Sequence, residues 1–179
     1  MRLMMDACIL YPTVLREILL ATAAAGAFAP LWSDRVMEEW AHAAARGGHA
    51  VERTARAEIA LMRERWPATR VAPGPGAEEA LSLPDAGDLH VLAAAIEGRA
   101  DAVLTVNLRD FPGRTLARHG LMVRTPDSLL SELHTEGRIP VARLVEEVRQ
   151  RTEAISGRAQ PLRPLLKRAG LPRLGKALA

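Results

Sequence analysis

The sequence predicts an α/β protein, with a central, mainly parallel sheet flanked by helices and a basic helical extension at the C-terminus. Three observations predict it. Short apolar runs around residues 3–5, 28–32, 102–106 and 121–124 alternate with longer segments of helical period, which is the pattern of strand–helix–strand units. Hydrophobic residues make up 49% of the chain and aromatics only 3%, so the core is built from small and aliphatic side chains suited to helices around a buried sheet. The 179 residues can bury such a core without disulfides, and the one cysteine, Cys8, cannot form one internally.

Taken in order, Leu3-Met4-Met5 reads as a buried strand that runs to Asp6 and is stopped by Tyr11-Pro12. Residues 13–25 read as a helix with Pro12 near its start and Gly26 as its stop. Residues 28–32 are a short extended piece. Ser33 is the expected N-cap of a helix over 34–46, ended by Gly47-Gly48. A charged helix follows over 51–66. The Pro/Gly-rich stretch 68–87 reads as loop, with a strand near Val71. Beyond it come a helix over 88–98, a strand over 102–106, a short helix over 112–119, a strand over 121–124, and helices over 126–135 and 140–156. The expected division is a strand-and-helix domain over 1–137 and a C-terminal helix with a basic, Pro- and Leu-containing tail over 138–179.

Several function classes drop out. The N-terminus lacks the apolar run of a signal peptide, and no stretch has the roughly 20 apolar residues of a membrane span, so a cytoplasmic protein with no membrane partner is expected. No glycine cluster matches a phosphate-binding loop. The five histidines lack zinc-ligand spacing. Charge is uneven: residues 1–157 carry 18 basic and 21 acidic side chains, and residues 158–179 carry six basic and none acidic. Such a tail suits a polyanion, and equally a solvated basic surface.

What remains is a set of acids. Asp6 follows an apolar strand, where a carboxylate is costly unless paired, solvated or metal-bound. On the helix after Ser33, Val36, Trp40 and Ala43 mark the apolar stripe. At 100° per residue Glu39 falls within about 70° of its centre and Glu38 nearly opposite. Asp88 starts the stripe of Leu89, Leu92 and Ile96, although Asp is also an ordinary N-cap; Asp85 sits in a turn. Asp110 lies where the strand ending in Thr105-Val106-Asn107 meets the next helix. In a parallel sheet, residues that follow strands gather at one edge. Clustered carboxylates repel unless a cation holds them, and an all-oxygen set points to Mg²⁺ or Mn²⁺ rather than zinc.

These blocks resemble the PIN-domain family, which includes the VapC-type toxins. Met5-Asp6-Ala7-Cys8-Ile9-Leu10-Tyr11-Pro12 resembles its opening strand and first acid, and Trp32-Ser33 through Glu39-Trp40 its second. The run from Pro84-Asp85-Ala86-Gly87-Asp88 to Ala95 resembles the helix of the third acid. Thr105-Val106-Asn107-Leu108-Arg109-Asp110-Phe111-Pro112 resembles its last block. The resemblance covers roughly residues 2–135. It implies a metal-dependent endoribonuclease with catalytic and metal-binding acids Asp6, Glu39, Asp88 and Asp110. Thr105 and Asn107 would orient ligands or water, and Arg109 would touch substrate. Its implied partners are RNA, a cognate antitoxin and a second copy of the chain. One position departs from the pattern: the third motif residue is commonly Asn or Ser, and Cys8 is a poorer donor to Asp6. Two alternatives stand beside this reading: a PIN-fold assembly module with weak or lost catalysis, and a nuclease for DNA or structured substrates.

The helical phase yields a direct test. Asp6→Asn should abolish metal-dependent cleavage and Glu38→Gln should leave it within about twofold, because the helix turns Glu38 to solvent. Equal loss in both variants would contradict the phase.

Overall fold

The computed structural model describes residues 1–179. Five strands, β1 (Arg2–Met5), β2 (Ala29–Ser33), β3 (Arg70–Val71), β4 (Ala102–Leu104) and β5 (Met122–Arg124), form one sheet in the order β3-β2-β1-β4-β5. Every pairing is parallel. The order places β1 at the centre, and its side chains Leu3, Met4 and Met5 are fully buried, as a strand covered on both faces requires. Reversal of the winding on either side of β1 creates the crevice at which such sheets carry their sites.

Ten helices surround the sheet: α1 (Ala7–Leu10), α2 (Thr13–Ala24), α3 (Asp34–Ala45), α4 (His49–Arg65), α5 (Leu89–Glu97), α6 (Gly113–Ala117), α7 (Pro126–Glu136), α8 (Val141–Ser156), α9 (Leu162–Arg168) and α10 (Pro172–Ala177). Ser33 caps α3 as its residue type predicts, its hydroxyl accepting from the Val36 N–H at 3.2 Å. Strand β4 stops two residues short of the expected 106, because Val106 has left the sheet and is exposed.

Residues 7–10 differ from the sequence reading. They form a single helical turn, α1, too short for apolar periodicity to reveal. Its end is held by Arg16, whose Nη1 donates to the carbonyls of Leu10 (2.5 Å) and Tyr11 (3.3 Å). The Arg16 guanidinium lies 4.4 Å from the Trp40 ring centroid and pairs with Glu58. A buried arginine thus supplies the donors that the helix end lacks, satisfies its own charge, and fixes the segment that follows Asp6.

The C-terminal segment packs on the body through its apolar side chains. Leu166, Ala169, Leu171 and Leu174 belong to the same hydrophobic cluster as the sheet and its flanking helices. The carboxylate of Asp127, in the first turn of α7, accepts from the backbone N–H groups of Arg173 (2.9 Å) and Leu174 (3.0 Å). Removing residues 158–179 therefore strips part of the core. Leu166 is fully buried, so Leu166→Ala should destabilise the whole chain by about 2–4 kcal/mol in urea unfolding. A cost below about 0.5 kcal/mol would mean that the extension packs only superficially.

Candidate functional site

Parallel pairing brings the residues that follow β1 and β4 side by side. The Asp6 N–H donates to the Leu104 carbonyl at 3.2 Å, and the two side chains beyond the strand ends then meet. Thr105, fully buried, donates its hydroxyl to Asp6 Oδ2 at 2.6 Å and accepts from the Asn107 N–H at 2.9 Å. The Cys8 thiol donates to the same Oδ2 at 3.0 Å. Asp6 makes no N-cap hydrogen bond to α1, so capping does not explain this nearly buried acid. Two donors hold Oδ2, and Oδ1 carries no hydrogen bond.

Cys8 therefore does what the sequence reading withheld from it: it hydrogen-bonds the first acid. Burial pushes its thiol up to about 12, with the neighbouring Asp6 charge adding to the shift. It stays a protonated donor at neutral pH and is no nucleophile.

Helix α3 forms the opposite bank. Glu38 is exposed and pairs with Arg56, whereas Glu39 is half-buried and faces the site. Glu39 Oε1 stands 2.7 Å from His90 Nε2 on α5. The approach does not meet hydrogen-bond geometry, and His90, 4% exposed, has no hydrogen-bond partner at either nitrogen.

Asp88 also differs from its bland alternative. It closes a 3-10 turn over Ala86–Asp88, and Asp85 provides the capping contact there, accepting from the Gly87 N–H at 2.8 Å. Asp88 caps nothing. Burial raises its carboxyl to about 6, and the charges of Asp6, Asp110, Asp85 and Glu39 add to the rise in that order. Asp88 is thus the point at which the predicted acids act on one another.

Asp6, Glu39, Asp88 and Asn107 line one cleft of about 530 Å³ together with Cys8, Tyr11, His42 and Arg46. Asp110, partly buried in the turn after β4, stands outside that lining and reaches it through its field on Asp88. Arg109 is exposed on the same turn and does not line the cleft. Two cleft residues were missed from sequence, His42 and Arg46. Both lie on the Glu39 stripe of α3 at i+3 and i+7, a spacing that was available to find them. A second, polar groove runs between Ser33–Arg35 and residues 71–79 with His90 at its edge, and holds none of the four acids.

The donor set fits a hard divalent cation in chemistry: all oxygen, several charges, and one carboxyl driven up by its neighbours. The side chains are not closed around a point, since no three His, Cys, Asp or Glu residues form a ready-made coordination shell. Mg²⁺ keeps several waters and is commonly held by one or two carboxylates, so an open cleft suits it.

A parallel α/β sheet with an acidic crevice at its carboxyl edge defines the class as an α/β protein of nuclease type. The chain belongs to the PIN-domain family, whose model matches residues 2–109. PIN domains as a class are metal-dependent nucleases, and the coarse activity that membership carries is hydrolysis of nucleic acid. No curated protein and no solved structure matches the chain. No helix is long and apolar enough to cross a membrane.

The raised carboxyl yields a signed prediction. With a folded pKa of about 6 against an ordinary value of 3.8, the ionised Asp88 opposes folding. The cost is absent below about pH 4, grows as pH rises through about 6, and is complete above it. In metal-free buffer Asp88→Asn should raise Tm by a few degrees at about pH 7.5 and by much less at about pH 4. Equal shifts at both pH values would show that the ionisation of Asp88 is not the cause.

Proposed function

We propose that this chain is a Mg²⁺- or Mn²⁺-dependent endoribonuclease, and that it acts as the toxin of a toxin–antitoxin pair whose antitoxin restrains it. The observation that carries the proposal is the gathering of Asp6, Glu39, Asp88 and Asp110 around the raised Asp88 carboxyl, at the carboxyl edge of a PIN-domain sheet.

When bound, the divalent ion would lower the pKa of a coordinated water and stabilise charge on the phosphorane. Asp6 and Asp110 are proposed as its direct ligands, with Glu39 and Asp88 binding directly or through water. The chain's own groups do the rest. Thr105 and Cys8 fix Asp6 Oδ2 and leave Oδ1 for the cleft, as positioning donors behind metal ligands do. His90 Nε2 lies beside Glu39 at the cleft wall. Asn107 is placed to orient water or a ligand. Arg46 and His42 line the cleft and are proposed to meet the RNA phosphate, offsetting the repulsion between an acidic site and a polyanion; Arg109 would meet the strand just outside.

The test is cleavage of total RNA, and of DNA in parallel, by purified antitoxin-free chain with Mg²⁺, Mn²⁺ or excess EDTA. The proposal expects RNA cleavage that needs the divalent ion and is lost in Asp6→Asn. Cleavage that persists in EDTA, or a preference for DNA, would overturn it. Thr105→Val should cost about 10- to 100-fold in activity or metal affinity. Arg46→Ala should raise KM about tenfold with a smaller change in kcat, as loss of one charge-assisted phosphate contact predicts. A fall in kcat at unchanged KM would instead place Arg46 on the reacting centre.

A further inference from the structure

The cations of residues 158–179 stand apart from the rest of the molecule's charge. Of the 18 arginines in residues 1–157, nine pair with a carboxylate: Arg16, Arg35, Arg56, Arg63, Arg70, Arg124, Arg143, Arg149 and Arg151. None of Arg158, Arg163, Lys167, Arg168, Arg173 and Lys176 takes part in an ion pair, and all six are exposed. The leucines between them are turned the other way: Leu165, Leu166, Leu171 and Leu174 are buried. Helices α9 and α10 are thus docked through an apolar face, with unneutralised charge held outward on an ordered surface. A flexible basic tail would have neither feature.

The surface also has a definite place. Helix α7 begins directly after β5, through the Thr125 N-cap, and β5 runs parallel to β4 and β1. The Thr105 N–H donates to the Arg124 carbonyl at 3.0 Å, so the first turn of α7 lies at the same sheet edge as Asp6 and Thr105. Asp127 in that turn grips the Arg173 and Leu174 backbone, which brings the start of α10 to this edge. The sheet order puts β5 two strands from β1, a lateral offset of about 10 Å at ~4.8 Å per strand. The exposed Arg109 and the Asp110 turn follow β4, the strand between them.

We propose that α9 and α10 form a phosphate-backbone surface that holds single-stranded RNA beyond the acidic cleft, so that a strand cut in the cleft is anchored by its flanking nucleotides. The surface has no aromatic side chain on which bases could stack. It therefore reads phosphates rather than sequence, and its contribution is salt-dependent. The identity of the polyanion as RNA rests on the nuclease reading above.

The test uses the full-length chain with Arg163, Lys167, Arg173 and Lys176 all changed to Gln, and a companion with Lys167→Arg, Lys176→Arg, Arg163→Lys and Arg173→Lys, which keeps every charge. Both are made in an Asp6→Asn background. Binding of a labelled single-stranded RNA is followed from about 50 to about 200 mM salt, with vesicles of anionic lipid as a second arm and Tm measured on each protein. The Gln variant should keep its Tm. The slope of log affinity against log salt should become shallower by about 0.7 per lost contact, about 3 in all, with at least tenfold weaker binding at the lowest salt. The charge-conserving variant should keep the parent slope. Coincident slopes for parent and Gln variant, both folded, would overturn the proposal, as would charge-dependent binding to vesicles with no change in RNA binding. Cleavage is read separately on the chain that keeps Asp6: an altered slope with no metal-dependent RNA cleavage by that chain would defeat the nuclease reading and spare the phosphate surface, and cleavage by it with coincident slopes would do the reverse.

Discussion

The hydrogen bond from Thr105 to Asp6 joins two residues 99 positions apart in sequence, and the candidate site depends on the pairing that makes it. Adjacent parallel strands β1 and β4 end level with each other, so the residues just past their ends must meet. An acid at that point is nearly buried and unaffordable alone. Thr105 and Cys8 satisfy one oxygen, and the other is left to the cleft. The α3 and α5 helices then bring Glu39 and Asp88 against it, in a space where each further negative charge makes the next harder to hold. The raised carboxyl of Asp88 records its burial first and that conflict second, and a divalent cation would relieve both.

Conflict of this kind is a departure from local consistency, and folded chains hold such departures only where surrounding structure over-determines them. Here the surroundings do so. The strand beneath Asp6 is fully buried. Arg16 ties the Leu10 and Tyr11 carbonyls to Trp40 and Glu58, so the segment after Asp6 cannot relax outward. On the far side, Asp127 and the leucines of α9 and α10 fasten the extension to α7 and α8. The acidic cleft stands open at the carboxyl edge of an otherwise consistent core.

Much of this was legible in the sequence, for reasons of period and chemistry. The alternation of short apolar runs with helices predicts the parallel sheet, and parallel geometry alone brings Asp6 and Thr105 together. The 100° helical period separates Glu38 from Glu39, and the structure exposes the first and half-buries the second. What stayed hidden depends on contacts between distant segments or on elements too short to show a period. Helix α1 is one turn long and is completed by Arg16 from the next helix. Cys8 becomes a useful donor because the turn of α1 carries its thiol back to Asp6 Oδ2. Asp88 resembled a helix cap until Asp85 took that contact. The leucines of the extension show an apolar pattern, but nothing local says that Asp127 receives their backbone.

The central claim is that repulsion in the Asp6–Glu39–Asp88–Asp110 cluster is what a divalent ion offsets. The most direct measurement is thermal unfolding across a Mn²⁺ series at fixed ionic strength and near-neutral pH, for the parent chain and for Asp6→Asn. Binding to the folded state alone raises stability by about 2.7 kcal/mol at a ligand concentration a hundredfold above Kd, which for a chain of this size is a Tm rise of roughly 5–10 °C. The account predicts that rise in the parent and most of it lost in Asp6→Asn. A Tm that ignores Mn²⁺, or that rises equally in both proteins, would contradict it.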